Sequence, residues 1–336
     1  MTGRALVDAY DLVILDLDGV VYLIDQPIPG AVEAITALRE QVAVAYATNN
    51  ASRRADEVAG LLAGMGVPVV VDEVLTSAQA AAAALARRHP PGSRVLVVGT
   101  EALRTEVRDV GLVPVDVGEP APRAVVQGYG PGVGWPELAE ACVAIRGGAD
   151  WVVTNPDTTL PSPRGPLPGN GALVAAVRTA LGRGPDLVVG KPEPVLFTTA
   201  AQRAGAARPL VVGDRLDTDI EGAVRAGMDS VLVLTGITGP RMLLAAPPGR
   251  RPTYLAADLG GLFDVDTAQP VSAAGHGGWT AAPRGDALEL RGQGGTLDAL
   301  RTLCGVAWAE GPFATLTGAG PRAAEALRRL GLVAGE

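Results

Sequence analysis

Short apolar runs that stop abruptly at polar residues recur along the chain. In DLVILDLDG, Leu12–Leu15 is apolar throughout and runs into Asp16, Asp18 and Gly19. PGAVEAITALREQ then spaces its apolar residues as a helix does. VAVAYATNN is a second apolar run with a polar end, and ADEVAGLLAGMG is a helix closed by glycine. Further on, DLVVGKPEP, PLVVGDRLDTD and AGMDSVLVLTG repeat the pattern. Continuous apolar runs, in place of alternation, predict strands covered on both faces. Their alternation with helices predicts a parallel sheet, hence an α/β, Rossmann-like core.

The stretch between Thr48 and Lys191 is far longer than a few strand–helix steps require. It holds strand and helix patterns of its own in RVLVVGTEALRTEVRDVGL, AVVQGYG and DWVVTNPD. We therefore expect an inserted α/β domain over residues 80–186, interrupting a core made of 1–79 and 187–266. After residue 266 the character changes. AQPVSAAGHGG reads as a linker. WTAAPRGDALELRG reads as a hairpin, TLDALRTLCGVAWAEG as a helix, FATLTG as a strand and PRAAEALRRLGLV as a last helix. That predicts a small ββαβα module over 267–336.

Composition narrows what such a fold does. With 336 residues, 48% hydrophobic and 19% charged, the chain is globular and has the length for two or three domains. A net charge of −8 argues against nucleic acid as a partner. Cys142 and Cys304 stand far apart with no CxxC spacing, which suits a reducing cytosol better than a disulfide framework. The first residues read as neither signal peptide nor membrane span.

One substitution bias stands out. Of the 28 Lys+Arg residues a single one, Lys191, is a lysine, and the chain has only four asparagines, Asn49, Asn50, Asn155 and Asn170. A lysine retained where arginine has replaced every other marks a place for a compact point charge.

Four polar ends, LDLDG, ATNN, VGKPEP and VGDRLDTD, are expected to close strands of the same sheet, where open α/β folds bind ligands. They carry Asp16, Asp18, Thr48, Asn49, Lys191, Asp214, Asp217 and Asp219. Carboxylates gathered there repel unless a hard cation lies among them, and oxygen-only donors favour Mg²⁺. Metal, lysine and hydroxyl together suit phosphoryl transfer, and no P-loop is present.

The order of these four motifs resembles that of the haloacid dehalogenase-like (HAD) phosphohydrolases: DxD at Asp16–Asp18, a strand-ending Thr48, Lys191, and GDxxxxD from Gly213 to Asp219. The resemblance covers roughly residues 10–265. The insertion between the second and third motifs is similar to the branch with an α/β cap, and the whole chain resembles actinobacterial glycerol-3-phosphate phosphatases, whose tail looks like part of an acetyltransferase fold. The resemblance implies Asp16 as nucleophile and Asp18 as general acid and base. It implies Mg²⁺ on Asp16, the Asp18 carbonyl and Asp214. Asp219 stands behind these, with Asp217 the weaker of the two. Thr48, the Asn49 backbone and Lys191 hold the phosphoryl oxygens. By position in similar caps, Trp135, Asp157, Leu160 and Arg164 select the substrate, although Trp135 also fits the insert's core and Arg164 an exposed loop.

The implied substrate is a small soluble phosphate ester, glycerol 3-phosphate first, with 2-phosphoglycolate, sugar phosphates or nucleotides as alternatives. Other classes are weaker. GYGPGVG lacks the acidic partner of a dinucleotide site. The tail is short for an acetyl-CoA-dependent transferase and fits an interaction or regulatory role better. A purely binding protein would not need Asp16. The chain is expected to work away from membranes, in the cytoplasm, and its sequence is compatible with a cap-to-cap homodimer without requiring one.

Overall fold

A computed structural model describes residues 4–116 and 122–333. The chain forms two compact units, one of residues Met1–Leu23, Ile28–Ala43 and Ala207–Glu336, the other of Ile24–Pro27 and Val44–Ala206.

In the first unit, parallel strands run in the order Tyr254–Ala256, Asp229–Val233, Pro209–Gly213 and Leu12–Leu15, with Leu12 opposite Pro209 and Leu15 opposite Val212. All four residues of Leu12–Leu15 are buried. This is why the strand reads as an unbroken apolar run: helices or other chain segments cover both of its faces. The helix Ala31–Arg39 buries Ala31, Ala34, Ile35 and Leu38, the i, i+3, i+4, i+7 stripe that the sequence displays.

The C-terminal residues form the expected ββαβα module within this unit. Trp279–Arg284 and Ala287–Gly292 pair antiparallel, from Trp279 opposite Gly292 to Arg284 opposite Ala287. The two-residue connection places Gly285 at φ 66°, in the left-handed region that a tight hairpin of this kind requires at its first position. After the helix Thr296–Glu310, the strand Thr315–Gly318 returns parallel to Ala287–Gly292, and the helix Pro321–Arg329 closes the module.

The helix Thr296–Glu310 serves two cores. Ala299, Leu303, Val306 and Ala307 pack with Trp279, Leu288 and Leu290 of the module. Leu300 and Cys304 pack with Leu216, Ile220, Leu232, Leu243 and Leu255 on the flank of the parallel strands of this unit. Between these faces Arg301, 2% exposed, donates to Leu255 O from Nε at 3.2 Å and from Nη2 at 2.6 Å. It also donates to Thr267 Oγ1 at 3.2 Å and to Asp298 Oδ1 at 2.7 Å. Trp308 Nε1 donates to Leu243 O, and the Arg251 guanidinium lies 5.6 Å from the Trp308 ring centroid.

The second unit contains a five-stranded sheet, all parallel, in the order Leu187–Val188, Asp150–Val153, Ala124–Gln127, Arg94–Val98 and Val113–Val115. Ala43–Thr48 pairs parallel with Val74–Thr76 in register Tyr46 to Val74 and Thr48 to Thr76. One expectation is corrected here. The strand leading to Lys191 does not join the sheet of Leu12–Leu15. It is the two-residue edge Leu187–Val188 of the inserted sheet, paired with Val152 and Val153. A run so short carries no signal for its partner. Trp135 is also not part of the insert's core: it is 80% exposed at the start of the helix Trp135–Arg146, and the large core residue is Trp151. Among the described residues, no helix is long and apolar enough to cross a membrane.

Arg301→Met is expected to lower unfolding stability by about 3 kcal/mol, because it leaves the Leu255 carbonyl and Asp298 without their buried partner. A urea titration reads this directly, and an unmoved midpoint would remove Arg301 from the account of how the module is held. Burial, and then the Arg301 charge, hold the His276 imidazole below its ordinary value. Its Nε2 accepts from the Ser272 N–H, a bond that protonation would abolish. The unfolded chain therefore takes up the proton first. Stability should be full above about pH 6.5 and fall as the pH drops below it, and His276→Gln should flatten that fall in thermal unfolding followed against pH.

Candidate active site

The expected site residues divide between the two units, and each group is compact. In the first unit, Leu12–Leu15 delivers Asp16, whose backbone N–H continues the ladder by donating to Val212 O at 2.9 Å. The neighbouring strand Pro209–Gly213 delivers Asp214. One carboxylate oxygen from each of Asp16, Asp214 and Asp219 lies within 4.8 Å of the others, and all three residues are buried. Asp18 is half-buried and bridges to Tyr22 through the backbone.

Two backbone amides steady this crowd of charge. Ile237 N–H donates to Asp214 Oδ2 at 2.7 Å, and Arg215 N–H donates to Asp219 Oδ2 at 3.1 Å. Space is made by glycines. A side chain at Gly236 would overlap the Asp214 carboxylate, one at Gly213 would overlap Asp219, and a Cβ at Gly19 (φ 89°) would meet Asp214 Oδ2 at 2.6 Å. The Gly19 carbonyl is fixed by Thr235 Oγ1 at 2.6 Å. Thr235, Gly236 and Ile237 were not singled out from the sequence. The signal was the TGITG string directly after the strand Asp229–Val233.

Asp217 stands apart from the cluster. Its carboxylate takes Arg215 Nε at 3.1 Å and Nη2 at 2.9 Å. Burial works against its charge, but the Arg215 guanidinium outweighs that and holds the carboxyl below its usual range. It acts as a surface brace on the Asp214–Asp219 turn.

Three buried carboxylates at such spacing, with oxygen donors only, match what a hard divalent cation needs. Asp16 and Asp214 are the side chains expected as ligands, and the Asp219 carboxylate, expected behind them, lies in the same cluster.

In the second unit, Thr48, Asn49 and Lys191 are all buried. Lys191 Nζ donates to Ala47 O at 3.1 Å, and Thr48 Oγ1 accepts from Asn50 N–H at 3.1 Å. Asn49 grips Lys191 at both ends of its backbone: Oδ1 accepts from Lys191 N–H at 2.7 Å, and Nδ2 donates to Lys191 O at 3.0 Å. The same Nδ2 reaches both Asp157 carboxylate oxygens, at 3.2 and 3.1 Å. Asp157 therefore touches the asparagine that follows Thr48. Leu160 is half-buried in the two-residue strand Thr159–Leu160, paired with Leu167. Arg164 is exposed, as its loop reading anticipated. Asn155 and Asn170, also in this unit, were not among the expected site residues.

Comparison with known proteins agrees with the motif order. Residues 13–113 match the haloacid dehalogenase-like hydrolase family model, 188–262 a HAD-hydrolase-like model, and 276–332 a GCN5-related N-acetyltransferase-like domain model. The chain is 46% identical to D-glycerol 3-phosphate phosphatase of Mycobacterium tuberculosis, covering 91% of this chain and 88% of that one. It is 35% identical to a 5′-nucleotidase of Bacillus subtilis over 68% of this chain and 88% of the relative. The crystal structure of glycerol phosphate phosphatase from M. tuberculosis in complex with magnesium superposes with a TM-score of 0.91 at 44% identity, covering 98% of this chain and 100% of that one. That of 4-nitrophenylphosphatase from Thermotoga maritima gives 0.72 at 34% identity, covering 79% and 100%.

Gly236→Ala pushes a methyl group into the Asp214 carboxylate. Mg²⁺ affinity measured by calorimetry should fall about tenfold or more with the fold intact. Unchanged affinity would mean that Asp214 does not hold the cation.

Proposed function

The chain belongs to the haloacid dehalogenase-like hydrolases, and on that premise we propose that it hydrolyses glycerol 3-phosphate to glycerol and inorganic phosphate. The observation that carries this is the buried Asp16–Asp214–Asp219 set at the strand ends, in a chain similar over nine-tenths of its length to a phosphatase of that substrate.

In this reading Asp16 is the nucleophile. Its carboxylate oxygen forms a bond to phosphorus as the phosphorus–alkoxide bond breaks, and Asp18 gives the departing glycerol its proton. Asp18 then takes a proton from water as the water oxygen attacks the aspartyl-phosphate, releasing phosphate and restoring Asp16. Lys191, Thr48 and the Asn49 backbone hold the phosphoryl oxygens by charge and hydrogen bonds. Asp16 and Asp214 would hold Mg²⁺ with the Asp18 carbonyl, and Asp219 supports them. When bound, that ion offsets the carboxylate charge and the charge on the phosphoryl group.

We keep residues 80–186 as the cap that selects the ester, with Trp135, Asp157 and Leu160 as its contacts. An exposed Arg164 gives no particular support to a carboxylate-bearing substrate such as 2-phosphoglycolate. We read the C-terminal module as a support for the catalytic unit, in keeping with the packing of its longest helix against it. Two free, buried cysteines favour the cytosol.

The test is phosphate release from a panel of small esters, with Mg²⁺ or EDTA. Glycerol 3-phosphate should lead, EDTA should abolish release, and Asp16→Asn should lose about 10³-fold or more. A panel led by 2-phosphoglycolate, a sugar phosphate or a nucleotide would replace the substrate. Release that survives Asp16→Asn would replace the mechanism.

A further inference from the structure

All four asparagines of this asparagine-poor chain lie around the second unit's polar strand ends. Asn50 Oδ1 accepts from Ser52 N–H at 2.7 Å and Ser52 Oγ at 2.9 Å, closing its own turn. The other three are linked in series. Asn170 Nδ2 donates to Asn155 O at 2.8 Å, Asn155 Nδ2 donates to Asn49 O at 2.7 Å, and the Asn49 side chain clamps Lys191 at its N–H and C=O. Asn155 and Asn170 are 4% and 1% exposed, so these bonds form away from water, where each is worth more and its loss costs more.

The chemistry explains the choice of residue. A primary amide offers donors and an acceptor on one flat group, so it can pass a fixed orientation from one backbone to the next. An arginine or a carboxylate could not do both. Glycines let the strands of this relay approach closely. A side chain at Gly190 would overlap Thr154 O, and one at Gly171 would overlap Pro156 O. Asn49 O also accepts from Ser77 Oγ at 2.6 Å, so the peptide that joins Asn49 to Asn50 is held from two sides. The Asn49 N–H, in the peptide just before it, is one of the groups read above as binding phosphoryl oxygens.

We propose that Asn155 and Asn170 are positioning residues for Lys191. They fix the Asn49 peptide and side chain, which fix the Lys191 backbone, and so aim the ammonium without touching the substrate. The inference rests on the reading of Lys191 as a phosphoryl ligand.

The single lysine supplies the probe. Protein labelled with ¹⁵N-lysine gives one backbone amide signal, that of Lys191, whose proton Asn49 Oδ1 accepts. Asn155→Ala, and the isosteric Asn155→Asp should the alanine variant not fold, should move this signal upfield in its proton dimension. Asn170→Ala should move it in the same direction by less. kcat/KM should fall about 10- to 100-fold, as for a ligand aimed an ångström astray, while half-saturation by Mg²⁺ stays unchanged. In a Lys191→Ala background, Asn155→Ala should add less than about threefold. A Lys191 signal unmoved in folded variants, or losses that simply multiply with Lys191→Ala, would overturn the proposal. A wild-type protein that hydrolyses no ester would sink the phosphatase reading alone, and the amide signal would still decide whether the relay positions Lys191.

Discussion

Crowding of negative charge at the ends of two parallel strands is the constraint around which the first unit is arranged. Three carboxylates buried within 4.8 Å of one another oppose folding unless something compensates them. The chain supplies part of the compensation itself, in the amides of Ile237 and Arg215, and leaves room for a cation by placing glycine where any side chain would fill the space. The apolar strands behind the carboxylates are the other half of this arrangement. Because Leu12–Leu15 is locked on both faces, Asp16 cannot turn away from its neighbours.

The second unit handles positive charge with a different vocabulary. Lys191 is not opposed by a lone carboxylate at its backbone but held by an amide that reads both its N–H and its C=O. Neutral hydrogen bonds fix direction without adding charge, so they orient the Lys191 backbone without altering the local charge balance.

Much of this was legible in the sequence because buried parallel strands announce themselves as unbroken apolar runs, and Asp16, Thr48 and Asp214 follow such runs directly. The ββαβα module was equally plain, since its hairpin turn and helix stripes are local signals. What failed was long-range. The two-residue strand before Lys191 carries no mark of which sheet it joins, and its partner, Asp150–Val153, lies far back in the chain. Trp135 was ambiguous because a tryptophan at a helix start has no periodicity to place it. Asn155 and Asn170 stood out only by their rarity, because a hydrogen bond from a side chain to a distant backbone leaves no pattern along the sequence.

The helix Thr296–Glu310, shared between two cores, makes the C-terminal module more than an attachment. A domain joined by a tether can be gained or shed freely. Here the helix packs Leu300 and Cys304 into one core with Leu232, Leu243 and Leu255. Loss of the tail would therefore uncover apolar positions that this helix now packs against. The exposed residues of the module are free of that constraint, while the inward face of its longest helix is part of the first unit's own core.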